Sequence, residues 1–170
     1  MYILLGAFSE CKVRQIAIQM VKKVLVAGLG NPLMSDEGVG VRIIERFQAE
    51  KDKFSDVEFV DAGTGGFALL HLITNCKKVI LIDCALMGTR PGTIKRFAPE
   101  EVESIKKLSG QSLHEADILK VVEMSGQLGE RPGKIVFFGI EPERVAEGNE
   151  LSRVIKNRLE EYAGIISKEF

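Results

Sequence analysis

One stretch near the amino terminus, Val24–Ile44, constrains the fold more than any other part of the chain. It begins with an apolar run, passes through a loop that contains several glycines, and ends in apolar residues at helical spacing. An apolar run that ends in glycines is typical of a buried strand followed by a sharp turn. The stretch therefore predicts a strand, a loop and a helix. It places Glu37 near the helix amino terminus, where the backbone dipole favours a carboxylate.

The rest of the chain continues this alternation of strand and helix. Apolar runs at 57–61, 77–83 and 134–140 predict further strands, and the periodicity after 66, over 113–124 and over 150–167 predicts helices. Residues 90–97 combine a turn with charges, which an edge strand tolerates. We therefore predict the α/β class, with a single doubly wound, mostly parallel β-sheet and helices on both faces.

The chain length fits one domain. Of the 170 residues, 22–170 form the predicted domain, and 1–21 form an amino-terminal extension that we expect to be dispensable. The apolar run at 1–8 is too short for a membrane span and lacks the basic start of a secretion signal.

Composition limits the class of partner. Lys and Arg number 23 against 24 Asp and Glu, so no basic field favours nucleic acid or a membrane surface. Cys11, Cys76 and Cys84 show no C-x-x-C spacing, which argues against a disulfide framework and a thiolate zinc site. We expect a cytoplasmic monomer that does not insert into membranes and acts on a small ligand or a protein tail.

Ligands of doubly wound sheets bind beyond the carboxyl ends of the strands, where the strand order reverses. Glu37, Asp61 and Asp83 follow or end the first three predicted strands, and His114 stands in a polar segment that leads into a helix. Carboxylates and an imidazole can hold a metal ion with open positions. His71, within an apolar helix, is predicted to be a structural or surface residue. Spacing alone does not decide for a metal, since both aspartates can equally serve only to order their loops.

Several ordered motifs resemble those of the hydrogenase maturation endopeptidases, which process nickel-iron hydrogenases. The opening motif is Gly28-Leu-Gly-Asn-Pro-Leu-Met-Ser-Asp-Glu-Gly-Val-Gly-Val-Arg42. Asp61-Ala-Gly-Thr64, Ile82-Asp83, Arg90-Pro-Gly-Thr93 and Ser112-Leu-His114 follow in the family's order. The resemblance covers roughly residues 22 to 166. This chain departs from the family pattern at Ala62, where glycine is common, and at Leu113, where proline is frequent.

The resemblance implies an aspartic-type endopeptidase that removes the C-terminal extension from the precursor of a hydrogenase large subunit. It also implies that Glu37, Asp83 and His114 bind nickel, which the precursor itself supplies. A metal there can polarise the scissile carbonyl or acidify a water molecule. Alternatively, the metal only docks the tail, and Asp61 or another carboxylate acts as general base. Cys84 is predicted to be a small buried hydrophobe rather than a nucleophile.

Three other functions compete with this interpretation. A dinucleotide-binding module would need glycine at Leu33, and Asp36 with Glu37 would repel a pyrophosphate. Peptidyl-tRNA hydrolases share the opening 28–32, but their Thr-Arg-His-Asn-like segment is absent from the sequence, and the near-neutral charge suits tRNA poorly. A non-catalytic assembly factor that holds nickel or the precursor would share the same ligands, and the sequence does not separate it from a protease.

Overall fold

The computed structural model describes residues 24–102 and 113–170, without the side chains of 113–117. The predicted extension, residues 1–21, lies outside the described residues. The strands are β1 (Val24–Gly28), β2 (Val57–Asp61), β3 (Lys78–Cys84), β4 (Ile94–Phe97) and β5 (Lys134–Ile140). The α-helices are α1 (Val39–Ala49), α2 (Ala68–Ile73), α3 (Leu113–Gln127), α4 (Arg153–Lys156) and α5 (Leu159–Ile166). Short 3₁₀ helices cover Ser35–Gly38, Lys51–Lys53 and Ser167–Glu169.

The strands form one sheet in the order β2-β1-β3-β5-β4. β2, β1, β3 and β5 are parallel, whereas β4 pairs with β5 in the antiparallel direction at the edge. The predicted fold class and the predicted edge strand are therefore confirmed. β4 begins at Ile94 rather than at residue 90, because 90–93 form the turn that leads into it.

Successive side chains along each strand pack alternately into two hydrophobic cores, one on each face of the sheet. Leu25 and Ala27 face the core on the side of α2 and α3, whereas Val26 faces the core on the side of α1, α4 and α5. The central strands β1 and β3 are buried on both faces, which explains their continuous aliphatic sequences. Helices thus cover both faces of the sheet, as the sequence predicts.

The strand order reverses between β1 and β3. The chain leaves β1 for β2 on one side, and it then returns to place β3 on the other side of β1. At such a reversal the loops after the two strands diverge and leave a crevice at the carboxyl edge of the sheet. This crevice is the place where the fold favours a ligand site.

The carboxyl-terminal segment differs from the sequence-based expectation of one helix over 150–167. It forms α4 and α5, and the break falls at Asn157 and Arg158. There the Arg158 N–H donates to the Ile155 carbonyl, which is a 3₁₀ contact rather than an α-helical one. The Arg158 guanidinium also donates to the carbonyl oxygen of Gly92, so a tertiary contact stabilises the break.

The final residues pack against the sheet at the edge opposite the crevice. The Phe170 ring lies 5.2 Å from that of Phe47 and 5.1 Å from that of Phe54, measured between ring centroids. Glu169 accepts hydrogen bonds from Lys78 and Arg96, whose positive charges lower the pKa of its carboxyl group. In the part of the chain that the structure describes, no helix has the length and apolar character to cross a membrane.

Candidate functional site

The glycines of the opening motif let the loop after β1 lie directly on the end of the sheet. Gly30 has a φ of 120°, and a Cβ atom built on it would lie 1.8 Å from the Glu37 carbonyl oxygen. A Cβ atom on Gly40 would lie 2.4 Å from the carbonyl oxygen of Ile82 in β3. Only glycine allows both approaches. The motif therefore presses the 3₁₀ helix that carries Glu37, and the start of α1, against the carboxyl ends of β1 and β3.

Glu37 and Asp83 lie on neighbouring elements at this crevice. The Leu29 N–H donates to the Ile82 carbonyl at 2.8 Å, which extends the pairing of β1 with β3 by one residue. Asp83 follows this pair directly, and both carboxylate side chains are half-buried. One Asp83 oxygen, Oδ1, accepts the N–H of Cys84 at 2.8 Å. The structure thus brings two of the sequence-predicted residues to the switch point of the sheet.

The Cys84 thiol lies among these acids. Burial raises the pKa of Cys84, and the negative charges of Asp83, Glu37, Asp36 and Glu141 raise it further. A raised pKa disfavours the thiolate, which is the nucleophilic form of cysteine. This environment supports the sequence-based view that Cys84 is not a nucleophile.

Asp36 is a structural part of the site that the sequence interpretation gave no role. Its side chain is 0% exposed, and its carboxylate accepts three backbone N–H groups. These come from Glu143 at 2.9 Å, Arg144 at 3.1 Å and Ser152 at 2.6 Å. Hydrogen bonds from N–H groups to a carboxylate are stronger than those between neutral groups. Asp36 therefore ties the segment after β5 to the loop after β1.

Glu141 plays a similar part on the other side of the crevice. It is 6% exposed, and its Oε2 atom accepts the N–H groups of Met87 and Thr89 and the hydroxyl of Thr89, each at 2.9 Å. The loop after β3 is thereby held to the end of β5. The sequence carries a signal for this residue, because Glu141 directly follows an apolar strand, just as the acid Asp83 comes at the end of β3.

Backbone contacts complete the link between the loop after β1 and the segment after β5. The Ser35 N–H donates to the Gly148 carbonyl at 2.7 Å, and the Gly148 N–H donates to the Leu33 carbonyl at 2.9 Å. Ser35 has a φ of 54°, an unusual value outside glycine. With Asp36, these contacts make the two segments one structural unit.

Asp61 lies farther from the crevice than the other two predicted acids. It ends the edge strand β2, and β1 separates it from β3, with Gly28 paired to Asp61 on one side and to Ile82 on the other. Since neighbouring strands are roughly 4.8 Å apart, the Cα atoms of Asp61 and Ile82 lie about 10 Å apart. Asp61 is exposed, and its Oδ1 accepts the Gly63 N–H at 2.8 Å. This hydrogen bond confirms the alternative prediction that Asp61 orders its loop, and its role as a general base stays a prediction.

The structure tests the prediction made for one histidine and not the prediction made for the other. His71 is exposed on α2, which confirms its prediction as a surface residue. His114 lies in the first turn of α3, but its side chain is outside the described part of the structure. Among the side chains that the structure describes, no three His, Cys, Asp or Glu residues form a group that could hold a metal ion. The ligand set of Glu37, Asp83 and His114 therefore stays a prediction.

Large apolar side chains are exposed on the loops of the same edge. Leu33 follows β1, Phe67 follows β2 and Leu86 follows β3, and their exposed fractions are 68%, 73% and 49%. Exposed apolar residues that gather on one side of a protein mark a surface for another protein or a peptide. The crevice is thus flanked by groups suited to binding a polypeptide.

Comparisons with a family profile, with curated sequences and with solved structures all find similarity to proteins of hydrogenase maturation. A family profile described as hydrogenase maturation protease matches residues 41–169. The hydrogenase expression/formation protein HupD of Thiocapsa roseopersicina is 32% identical over 138 residues, which is 81% of this chain and 62% of that protein. The hydrogenase 2 maturation protease of Escherichia coli is 34% identical over 124 residues, covering 71% of this chain and 74% of that protein.

Among solved structures, the fold is similar to that of the hydrogenase maturating endopeptidase HybD from Escherichia coli. The TM-score is 0.76 at 27% identity, and the alignment covers 86% of this chain and 91% of that one. The chain spans less than two thirds of the length of the Thiocapsa relative.

Proposed function

Because the chain belongs to the hydrogenase maturation protease family, we propose that it is an endopeptidase for a nickel-iron hydrogenase. Its proposed substrate is the nickel-loaded precursor of the large subunit, from which it removes the C-terminal extension. One observation carries this proposal above the others: the opening motif folds into a loop that sets Glu37 beside the end of β3, where Asp83 lies.

We assign Glu37, Asp83 and His114 to the recognition of nickel in the precursor. Carboxylate and imidazole groups suit a divalent first-row metal ion, and protein ligands that leave positions open allow the precursor to keep its own ligands. The protease would then bind tightly only to a precursor that already contains its metal. In this proposal nickel is a part of the substrate, and it reports that cofactor insertion is finished.

Peptide cleavage in this site would use carboxylates rather than a serine or cysteine nucleophile. Amide hydrolysis needs an activated water molecule and stabilisation of the tetrahedral oxyanion. Nickel bound in the precursor would act as a Lewis acid on the scissile carbonyl. We propose Asp61 as general base, because it is exposed at the same edge and a peptide lying across the end of β1 would pass between it and Asp83.

The partner is proposed to be a protein rather than a small molecule. Leu33, Phe67 and Leu86 offer apolar contacts along the crevice edge. The charge balance of 23 basic against 24 acidic residues gives no support for a nucleic acid partner. We further propose that the protein works as a cytoplasmic monomer.

The test is mass spectrometry of a large-subunit precursor after incubation with the purified protein, with and without nickel in the precursor. We expect loss of one defined C-terminal peptide from the nickel-loaded form only. Glu37→Ala, Asp83→Ala and His114→Ala should abolish the loss and keep the fold, because all three lie at the sheet edge or in a first helical turn. His71→Ala is the matched control, since it removes an imidazole from the surface of α2, and it should cleave normally.

Two results would contradict the proposal. Stable binding of the loaded precursor without loss of mass would indicate a non-catalytic assembly factor. Loss of activity in a folded His71→Ala protein, together with an active His114→Ala protein, would show that the ligand assignment is wrong.

A further inference from the structure

An apolar cavity lies directly beside Asp83, on the α3 side of the sheet. Asp83 contributes part of its wall, and other lining side chains come from the loop after β3, from β4 and β5, and from two helical segments. These residues are Ala85, Met87, Phe97, Val102, Ile118 and Phe137. Apart from Asp83, each lining residue is apolar or glycine within the part of the chain that the structure describes. The cavity is therefore suited to a hydrocarbon group that reaches it from the side of Asp83.

The size of the cavity narrows the class of group that fits. Its volume is about 40 Å³, whereas one water molecule needs roughly 10–15 Å³ on the same measure. Three or so small groups can therefore occupy it, which corresponds to the branched end of a valine, isoleucine or leucine side chain. An aromatic ring is too large for it, and a glycine or an alanine leaves most of it empty.

We propose that this cavity receives one aliphatic side chain of the precursor's tail, next to the bond that is cut, and thereby selects which tails are processed. The inference rests on the proposed function, which brings the nickel centre of the precursor to Asp83. Because Asp83 forms part of the cavity wall, the tail that leaves this centre starts beside the cavity. In an extended peptide every second side chain points to the same face, so one residue of the tail can enter the cavity while its neighbours contact the exposed edge.

Two residues that line the cavity, Ala85 and Val102, are expected to determine this selectivity. Ala85 is half-buried and lines the cavity, and its methyl group lies 3.0 Å from a Cβ atom built on Gly139. Replacing Ala85 by leucine fills the space. Val102, which is 9% exposed, also lines the cavity, and Val102→Ala enlarges the space. The two substitutions change the volume in opposite directions and replace none of the proposed nickel-binding residues.

The experiment varies the precursor and the protein together. The cut is first located by mass, and the tail residues on both sides of it are then replaced one at a time by Gly, Ala, Val, Leu and Phe. At one position the wild-type protein should prefer Val or Leu to Gly by at least about tenfold in kcat/KM, since one methylene in an apolar pocket changes kcat/KM by roughly 10–200-fold. Ala85→Leu should shift the preference to Gly and Ala, and Val102→Ala should raise the relative rate for Phe.

Leu128→Ala is the matched control, because Leu128 is an exposed apolar residue that follows α3 at the opposite edge. It should keep the wild-type order of tails. Circular dichroism of all three variants checks the fold. The inference is overturned if the wild-type protein cleaves every tail within about twofold of the same rate, or if Ala85→Leu slows all tails equally.

A binding measurement separates failure of this inference from failure of the proposed function. Binding of fluorescently labelled, nickel-loaded precursors that carry these tail residues should show the same dependence on side-chain size as cleavage. Size-dependent binding without any cleavage would support the cavity and contradict the protease. Cleavage without any dependence on size would support the protease and contradict the cavity.

Discussion

The buried carboxylate of Asp36 offers the sharpest test of how the site is built. We predict that Asp36→Ala strongly destabilises the protein and that Asp36→Asn does so to a smaller extent. The carboxylate is 0% exposed and accepts the backbone N–H groups of Glu143, Arg144 and Ser152. Alanine removes all three acceptor contacts, which leaves the buried Ser152 N–H without this partner and opens the part-buried N–H groups of Glu143 and Arg144 to water.

The magnitude follows from the hydrogen bonds lost. A hydrogen bond to a charged group contributes about 1.5–3 kcal/mol, and an unsatisfied buried donor costs about 1–3 kcal/mol. With partial access of water to the vacated space, Asp36→Ala should lower the free energy of unfolding by about 5 kcal/mol. Asparagine keeps one oxygen acceptor but turns an NH₂ group toward a donor, so we expect a loss of about 3 kcal/mol. These losses are a large part of a typical total of about 5–15 kcal/mol.

Urea denaturation followed by circular dichroism measures the change, and hydrogen exchange shows where it acts. The amides of Glu143, Arg144 and Ser152 should lose protection first. Glu143→Ala is the control, because it removes an exposed side chain and keeps the backbone N–H; surface changes of this kind usually stay within about 0.5 kcal/mol. If Asp36→Ala unfolds within about 1 kcal/mol of Glu143→Ala, the reasoning from these contacts is refuted.

Three further predictions concern the rest of the fold. The pKa of Glu169 is lowered from 4.5 mainly by its hydrogen bond with Lys78, so its stabilisation is present above pH 4.5 and is lost as the pH falls; Glu169→Gln should flatten the acid limb of a plot of melting temperature against pH. Gly30→Ala should lower both stability and processing, since its methyl group would collide with the Glu37 carbonyl; an unchanged melting temperature would contradict this. Phe170→Ala should cost about 2 kcal/mol in denaturant titrations, because it removes one ring of an aromatic cluster, and a change below about 0.5 kcal/mol would argue against that packing.

Periodicity predicts most of the fold because its signals are local. The aliphatic run at 79–82 reads as a doubly buried strand, and the glycines at 28 and 30 read as a sharp turn. The structure confirms both, along with the edge strand, whose antiparallel direction the sequence did not predict. The break between α4 and α5 was not predictable in the same way, because it depends on the contact of Arg158 with Gly92, 66 residues away in sequence.

The residues of the candidate site also differ in how far the sequence alone predicts them. The positions of Glu37 and Asp83 at the carboxyl edge of the sheet were predictable because each stands at the end of a strand or loop that the sequence marks clearly, and their role in binding nickel stays a prediction. The structural roles of Asp36 and Glu141 were not predictable, since their partners are backbone N–H groups 107 and 54 residues distant, for example at Glu143 and Met87. Any residue type can supply such a donor, so the side-chain pattern carries no trace of the pairing.

The link between the loop at 31–38 and the segment at 141–152 also limits how this scaffold can be recombined. Asp36 and Gly148 join two stretches that are widely separated in the gene but inseparable in space. A chimera with a related protease whose crossover falls between the two stretches takes one stretch from each parent. The hydrogen-bond acceptors of one parent then face the backbone donors of the other. Exchanging both stretches together keeps these hydrogen bonds within one parent sequence, so a stable chimera requires that 31–38 and 141–152 come from the same relative.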